Sequence, residues 1–395
     1  MPPSQTLPKP SNSALQHSQA VIKIIQNEIT TTGGWISFAN YMQLALYAPS
    51  LGYYSSGSRK LGSAGDFVTA PEISSLFGHT LARQAIQVLK QTEQADILEF
   101  GAGSGKLALD LLLELEKLEC LPRNYFILEV SAELRQRQQA LFKNNAPHLI
   151  PLLHWLDQLP TKFNGLMLAN EVLDAMPVHL VVWLDNQLLE RGVTYNNEAF
   201  IWKERPLRDG ALFEAATKLS AQINVNSDQN NRYISEINLA IPSFISSIAN
   251  ILQHGLILLI DYGFGSKEYY HPQRNQGTLM CHYRHHAHDD PFYLPGLQDI
   301  TSHVDFSAAM EAAANTDLEL MGYTTQAHFL INCGITEILA QTPANHTGEY
   351  LPLSNQLQKL VSPAEMGELF KVIAFGKNIG QPLVGFTSGD KSRLL

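Results

Sequence analysis

The sequence predicts an α/β protein built on a Rossmann-like sheet, with a helical extension ahead of that sheet and an antiparallel and helical cap inserted in it. Three observations carry this. Between residues 96 and 170, short apolar runs alternate with amphipathic helical runs. One junction in that alternation holds glycines at every second position, Gly101, Gly103 and Gly105. After Pro177 the pattern changes to a period of two, then returns to a buried apolar run at 256–263.

In chain order, residues 1–13 are rich in proline and serine and read as a disordered tail. Leu15, Val21, Ile22, Ile24 and Ile25 recur on one helical face, predicting a helix over 14–28. A second helix covers 37–47 and stops at Ala48-Pro49. Residues 51–74, LGYYSSGSRKLGSAGDFVTAPEIS, form a long loop, a feature that compact domains tend to keep for function. Pro71 suits the first turn of a helix running to Leu89. Strands follow at 96–100, 125–130, 149–155 and 165–170, with helices at 106–118 and 131–145, the latter capped by Ser131. Residues 178–206 alternate through turns at Asp185-Asn186 and Asn196-Asn197, which is an antiparallel meander. Helices at 211–223 and 240–253 lead to the strand 256–263. A helix at 305–315, a strand and short helix within 318–335, a helix at 350–361 and an edge strand at 369–378 complete the reading. The resulting domains are the tail 1–13, helices and a covering loop at 14–95, the sheet at 96–177 and 255–378, and the cap at 178–254.

Composition sets outer limits. The 395 residues are 45% hydrophobic and 16% charged, enough for a full core. A net charge of −10 argues against general nucleic-acid binding, which needs a basic surface. Three cysteines at wide spacing make no disulfide framework and fit a reducing compartment. The longest apolar run, GLILLIDYGFG, is interrupted at Asp261 and too short to cross a membrane. The first 19 residues contain no arginine and no apolar core, so neither a transit peptide nor a secretory signal is expected, and the cytoplasm is the expected location.

The glycine junction admits three ligand readings. A dinucleotide fold asks for GxGxxG, and the spacing here is one residue short. A phosphate loop asks for GxxxxGK followed by Ser or Thr, and Lys106 is followed by Leu107. The third, E/D-x-G-x-G-x-G, binds S-adenosylmethionine (SAM), and Glu99 to Gly105 match it throughout. A purely structural turn is the competing explanation. Glu129, at the tip of the next strand, adds weight: a carboxylate there accepts from both hydroxyls of an adenosyl ribose. By topology, Leu156-Asp157 would lie by the adenine.

Residues 37–378 resemble the MidA-like SAM-dependent methyltransferases. The resemblance is carried by YMQLALYAPSLGYY, GDFVTAPEISSLFG, LEFGAGSGKLALDLL, LANEVLDAMPVHL, LLIDYG, GTLMCHYRHHAHDDPFYLPGLQDITSHVDF and EMGELFKVIAFGK. The GDFVTAPEIS and PGLQDITSHVDF pieces are not general methyltransferase motifs. The resemblance implies a class I methyltransferase sheet and SAM as cofactor. From the family's mitochondrial member it implies methylation of a protein arginine during assembly of respiratory complex I. It also implies that Thr69–Ser74 fold over the cofactor and that Glu72 holds the methionine ammonium, against the plainer role of a first-turn helix glutamate. The residues expected at the cofactor are Thr69, Pro71, Glu72, Glu99, Gly101, Ala102, Gly103, Gly105, Glu129 and Asn170.

At the reacting end, Asn170-Glu171 close the fourth strand, where ligands of open α/β sheets bind. The Asn-Pro-Pro-Tyr run of many amino-group methyltransferases is replaced by Asn-Glu-Val-Leu-Asp. Carboxylates suit a guanidinium, a planar fork of five donors. The expected catalytic set is therefore Glu171, with Asp174 or Asp299 in support. The alternative is an acid network capping a short helix.

Residues 277–305 contain one cysteine, five histidines and four aspartates. Structural zinc favours paired cysteines, and Gly277, Pro291, Pro295 and Gly296 predict an irregular loop, so no metal is expected. A substrate-side lid carrying Tyr283, Arg284, Asp299 and His303 fits better. Asp305 would meet an arginine or simply cap the next helix. Exposed apolar stripes in the insertion serve either a substrate groove or a homodimer. Two other functions stay open: methylation of another residue or a small molecule, and a SAM-binding assembly factor without turnover.

Overall fold

The computed structural model describes residues 7–56, 68–185, 187–223 and 232–395. Residues 1–6 of the expected tail, 57–67 of the expected loop and Asn186 of the expected turn lie outside the described residues. The chain divides into two compact units, one from within 1–67, 174–241 and 267–303, the other from 68–173, 242–266 and 304–395. The expected domain limits differ from this division. The N-terminal helices share a unit with the insertion, and stretch 267–303 joins them there.

The second unit holds the main sheet. Its strands are β1 Asp96–Phe100, β2 Tyr125–Leu128, β3 Leu153–Leu156, β4 Phe163–Asn170, β5 Leu252–Phe264, β6 Glu319–Thr325 and β7 Phe370–Lys377. Their order is β6-β7-β5-β4-β1-β2-β3, with short strand Val304–Asp305 also pairing β5. β1 to β5 run parallel, and β7 lies antiparallel to both β5 and β6. The chain order reverses between β1 and β4, a topological switch point, beyond whose strand ends ligands bind.

β5 is a near-continuous buried run, as a strand covered on both faces must be. Ile97, Leu166, Leu168, Leu256, Leu258 and Ile260 pack in one cluster with Phe77 and Leu81 of helix Ser75–Gln91 and Leu111 of helix Lys106–Lys117. Each such side chain contributes roughly 1.5–3 kcal/mol on burial. At the other end of the sheet the strands approach closely. A Cβ on Gly255 would stand 1.9 Å from the Gly165 carbonyl oxygen, and one on Gly165 would stand 2.0 Å from that of Asp96.

Several local expectations change. The strand expected at 369–378 is not an edge: β7 sits between β5 and β6, and its first seven residues are buried. The strand expected from 149 starts at Leu153, because Pro147–Leu152 forms a 3-10 turn containing Pro151, which has no N–H to give a ladder. The helix expected at 71–89 is broken at Ser74. Ala70–Ile73 ends there, and the extended Ser74 caps Ser75–Gln91 through its hydroxyl on Leu76 N–H.

The first unit packs helices Asn12–Thr31 and Phe38–Tyr47 with a five-stranded antiparallel sheet. The expected meander supplies His179–Leu184, Gln187–Asn196 and Ala199–Pro206, and Arg232–Ile237 adds a strand that the periodicity did not predict. The histidine-rich stretch is not wholly irregular. Met280–Tyr283, His286–His288 and Asp299–Thr301 make a small antiparallel sheet. Its first hairpin closes through Arg284 and His285, both at positive φ (48° and 61°), as a tight two-residue turn requires. Among the described residues no helix is long and apolar enough to cross a membrane.

Gly255 combines a φ of +146° with the 1.9 Å approach, so Gly255→Ala should cost at least ~2 kcal/mol. Urea unfolding checks this. An unchanged midpoint would mean that β4 and β5 do not meet in this register.

Candidate active site

The turn after β1 is shaped by left-handed backbone: φ is +60° at Gly101, +56° at Gly103 and +85° at Gly105. Gly105 is the N-cap of helix Lys106–Lys117 and has no side chain to satisfy the first-turn amides, which leaves that helix end suited to a ligand. Gln138 fixes the turn to the neighbouring strand. It is fully buried, donating to the Gly103 carbonyl at 2.9 Å and to Glu129 Oε2 at 3.3 Å. Its own Oε1 accepts from Trp155 Nε1 at 2.8 Å.

Glu129 follows β2 and is 5% exposed. Its carboxylate also accepts from the backbone N–H group of Ser131 at 3.0 Å. Burial pushes its pKa up, and these bonds oppose that shift. Beside it, Val130 is 73% exposed, an apolar surface next to an acid. Arg135 spans the β2 and β3 ends, donating to the Glu129 and Leu156 carbonyls at 2.7 Å each and pairing with Asp157 at 2.8 Å.

Short helix Ala70–Ile73 lies on the opposite side of the turn, with Thr69 as N-cap and Pro71 in its first turn. The Ser104 hydroxyl donates to Glu72 Oε1. Ala70 N–H donates to Glu171 Oε1 at 3.4 Å, and Asn170 Nδ2 donates to the same oxygen at 3.1 Å. Asn170 Oδ1 is buried and has no hydrogen-bond partner among the described residues. Glu171 stands at a φ of +54° and gives its N–H to the Ile260 carbonyl at 2.9 Å. No helix follows it, so the helix-capping alternative for Glu171 falls. Ala102 is buried in the turn. Glu99, 2% exposed, accepts from the Tyr125 hydroxyl at 2.7 Å, and burial raises its pKa to about 7.

The other two expected catalytic acids lie in the first unit, both near Tyr54. Its hydroxyl donates to Asp299 Oδ1 at 2.9 Å, and its pKa is raised well above the usual value by burial, then by Asp299, Tyr47 and Asp174. Asp299 Oδ1 also accepts from Ile300 N–H at 3.0 Å. The Tyr47 and Tyr54 rings stack at 5.5 Å. The rest of the expected lid is tied into the fold. Arg284 donates to the Lys9 carbonyl at 3.2 Å, and His303 N–H donates to Thr278 Oγ1 at 3.1 Å. Asp305 lies in the second unit. It caps helix Phe306–Ala314 through Ser307 and Ala308 N–H groups, its alternative role. Among the described residues no group of three or more His, Cys, Asp or Glu is arranged to hold a metal.

Sequence reasoning missed three supports: Gln138, Arg135 and Asp261. Asp261 is fully buried and accepts from the N–H groups of Val172, Leu173 and Tyr262. Only its interruption of an apolar strand signalled it.

A mainly parallel sheet, a glycine turn at its switch point and an acid beyond the next strand define a SAM-dependent methyltransferase of class I. The donor set fits that cofactor: a left-handed loop, a buried carboxylate beyond the next strand, an apolar neighbour at Val130 and an orphaned acceptor at Asn170. Residues 80–324 match the model of the family described as "Putative S-adenosyl-L-methionine-dependent methyltransferase", and the chain belongs to that family. It is similar to a Burkholderia thailandensis protein crystallised with S-adenosyl-homocysteine. The two are 46% identical with a TM-score of 0.94, over 99% of this chain and 100% of that one. Among curated relatives, the mitochondrial protein arginine methyltransferase NDUFAF7 of Danio rerio is 27% identical over 96% of this chain and 95% of its own. The Drosophila melanogaster homologue is 26% identical over 98% and 93%. Both are named as mitochondrial, which overturns the cytoplasmic expectation. That expectation rested on the tail's lack of recognisable signals, on widely spaced cysteines and on an apolar run too short to cross a membrane.

Glu129→Ala should weaken SAM binding by about 10- to 100-fold, the worth of one or two charge-assisted hydrogen bonds. Calorimetry reads it, and an unchanged Kd would remove Glu129 from the ribose. A pH dependence follows from Glu99, whose pKa is about 7 when folded against an ordinary glutamate value of 4.5. Between those values the native state holds a proton that the unfolded chain has lost, so stability falls as pH rises. The loss reaches up to about 3 kcal/mol above pH 7. Glu99→Gln should therefore gain on the parent in thermal melts from pH 5 to pH 8. Parallel curves would show that Glu99 titrates normally.

Proposed function

We propose that the enzyme methylates the guanidinium of an arginine on a protein partner. The observation that carries this reading is the pair of buried acids, Asp174 and Asp299, gathered about Tyr54 in one unit. The curated relatives' printed activity, protein arginine methylation, supports it. When bound, SAM supplies a methyl group on a sulfonium, open to in-line attack by nitrogen.

The rest falls to the chain's own residues. Gly101, Gly103, Gly105 and Glu129 hold the adenosyl end, and Asn170 Oδ1 takes a donor from the amino-acid end. Arginine stays protonated in water, so its binding site must supply negative charge. Asp174 and Asp299 supply that charge, bind the guanidinium edge and fix its plane. Glu171 takes the proton released as the new bond forms. The unit containing 174–241 and 267–303 selects the partner protein. A subunit of respiratory complex I is the first candidate.

Incubation with labelled SAM and cell extract, followed by mass spectrometry, tests this. Label should appear on arginine of one or a few proteins. Label on another residue or on a metabolite would move the chain to another methyl acceptor, and none would leave a binding factor. Glu171→Gln should lower turnover at least ~100-fold while SAM affinity stays within about threefold. Parental turnover would exclude Glu171 from the reaction.

A further inference from the structure

We infer that Asp261 is a positioning residue for methyl transfer, acting through the backbone of the turn that carries Glu171. The inference rests on the proposed role of Glu171 and assigns the device that aims it. Asp261 lies near the end of β5, next to the point where β4 gives way to the turn. It is fully buried. Its Oδ2 accepts from Val172 N–H at 3.2 Å and Leu173 N–H at 2.9 Å, and its Oδ1 from Tyr262 N–H at 2.9 Å.

Successive amides on one carboxylate oxygen leave the turn a single backbone path. Glu171 is held from both sides of that path. Its own N–H is fixed to the Ile260 carbonyl at 2.9 Å, and the next two amides are fixed to Asp261. A non-glycine residue at φ +54° is a sparsely populated conformation that persists only where its surroundings over-determine it. Asp261 supplies that over-determination. The turn also abuts the cofactor loop, since a Cβ on Gly101 would lie 3.3 Å from Val172 Cγ2. Holding Val172 therefore fixes Glu171 relative to the glycine turn. A buried acid that accepts from two successive amides of the turn and from Tyr262 N–H works by geometry and makes no contact with substrate in this scheme.

The experiment compares Asp261→Ala, Asp261→Asn, Glu171→Gln and Asp261→Ala/Glu171→Gln in the full chain. Methyl transfer from labelled SAM into a fixed amount of cell-extract protein is read beside SAM affinity by calorimetry. Asp261→Ala should lose about 100-fold in turnover with SAM affinity within about threefold. Asp261→Asn keeps a carbonyl oxygen for the two turn amides and should stay within about tenfold of the parent. The double variant should be no slower than Glu171→Gln, because one residue acts through the other. The inference is overturned if SAM affinity falls in step with turnover, if Asn rescues nothing, or if the two losses multiply. Should Asp261→Ala fail to fold, Asp261→Asn decides alone. It should keep slow hydrogen exchange at Val172 and Leu173 together with turnover, and lost turnover with exchange still slow overturns the idea. Parental turnover in Glu171→Gln would sink both readings, while a slow Glu171→Gln beside a parental Asp261→Ala would sink only this one.

Discussion

One buried amide governs how the cofactor end is assembled. Gln138 reaches the Gly103 carbonyl, the Glu129 carboxylate and the Trp155 indole at once. Those three belong to the turn after β1, the end of β2 and strand β3. Glycines allow the turn to take left-handed angles, but their freedom also makes it the costliest segment to order. The Gln138 bonds to the Gly103 carbonyl and Glu129 offset that cost, so the loop is set before a ligand arrives. Preorganisation of this kind converts contact into affinity with little loss to ordering.

The same logic explains why so many carboxylates are buried in one protein. Glu99, Glu129, Asp174, Asp261 and Asp299 are all under a tenth exposed. A buried acid is expensive unless its lone pairs are met. Here much of the compensation comes from backbone N–H groups and tyrosine hydroxyls: Ser131 for Glu129, Val172 and Leu173 for Asp261, Tyr54 for Asp299 and Tyr125 for Glu99. Such partners supply hydrogen bonds without a counter-ion. An acid held this way has no internal Lys or Arg to cancel its charge when ionised, although burial keeps Glu99 largely protonated below about pH 7. Asp157, in contrast, is exposed and already paired with Arg135.

What could be read from the sequence was what neighbouring residues decide. The glycine turn, its following helix, the Ser131 cap and the meander all follow from patterns a few residues wide. β7 was legible as a strand, but its place between β5 and β6 is a matter of pairing across the chain. The hairpin within 280–288 was obscured because its two turn residues are Arg284 and His285, not the Asn-Gly or Gly-Gly that announce such a turn. Residues 232–237 alternate too weakly, with Arg, Ser and Glu among three apolar positions, to signal a strand alone.

The candidate residues divide along the same line. The glycine turn and Glu129 lie within two consecutive β-α steps, where a motif suffices. The buried acids depend on pairs far apart in the chain. Tyr54 and Asp299 are 245 residues apart, and Asp261 and Val172 are 89 apart. Composition near Asp299 pointed to a polar loop, but nothing local names a tyrosine so distant as its partner. Asp261 looked like a flaw in an apolar strand. A charge in such a strand must either face water or find donors, and with β5 covered on both faces only the second is open. The amides of the adjoining turn are among the donors this fold supplies. An unexplained acid at the C-terminal end of a buried parallel strand is therefore a physical reason to look for the loop it holds.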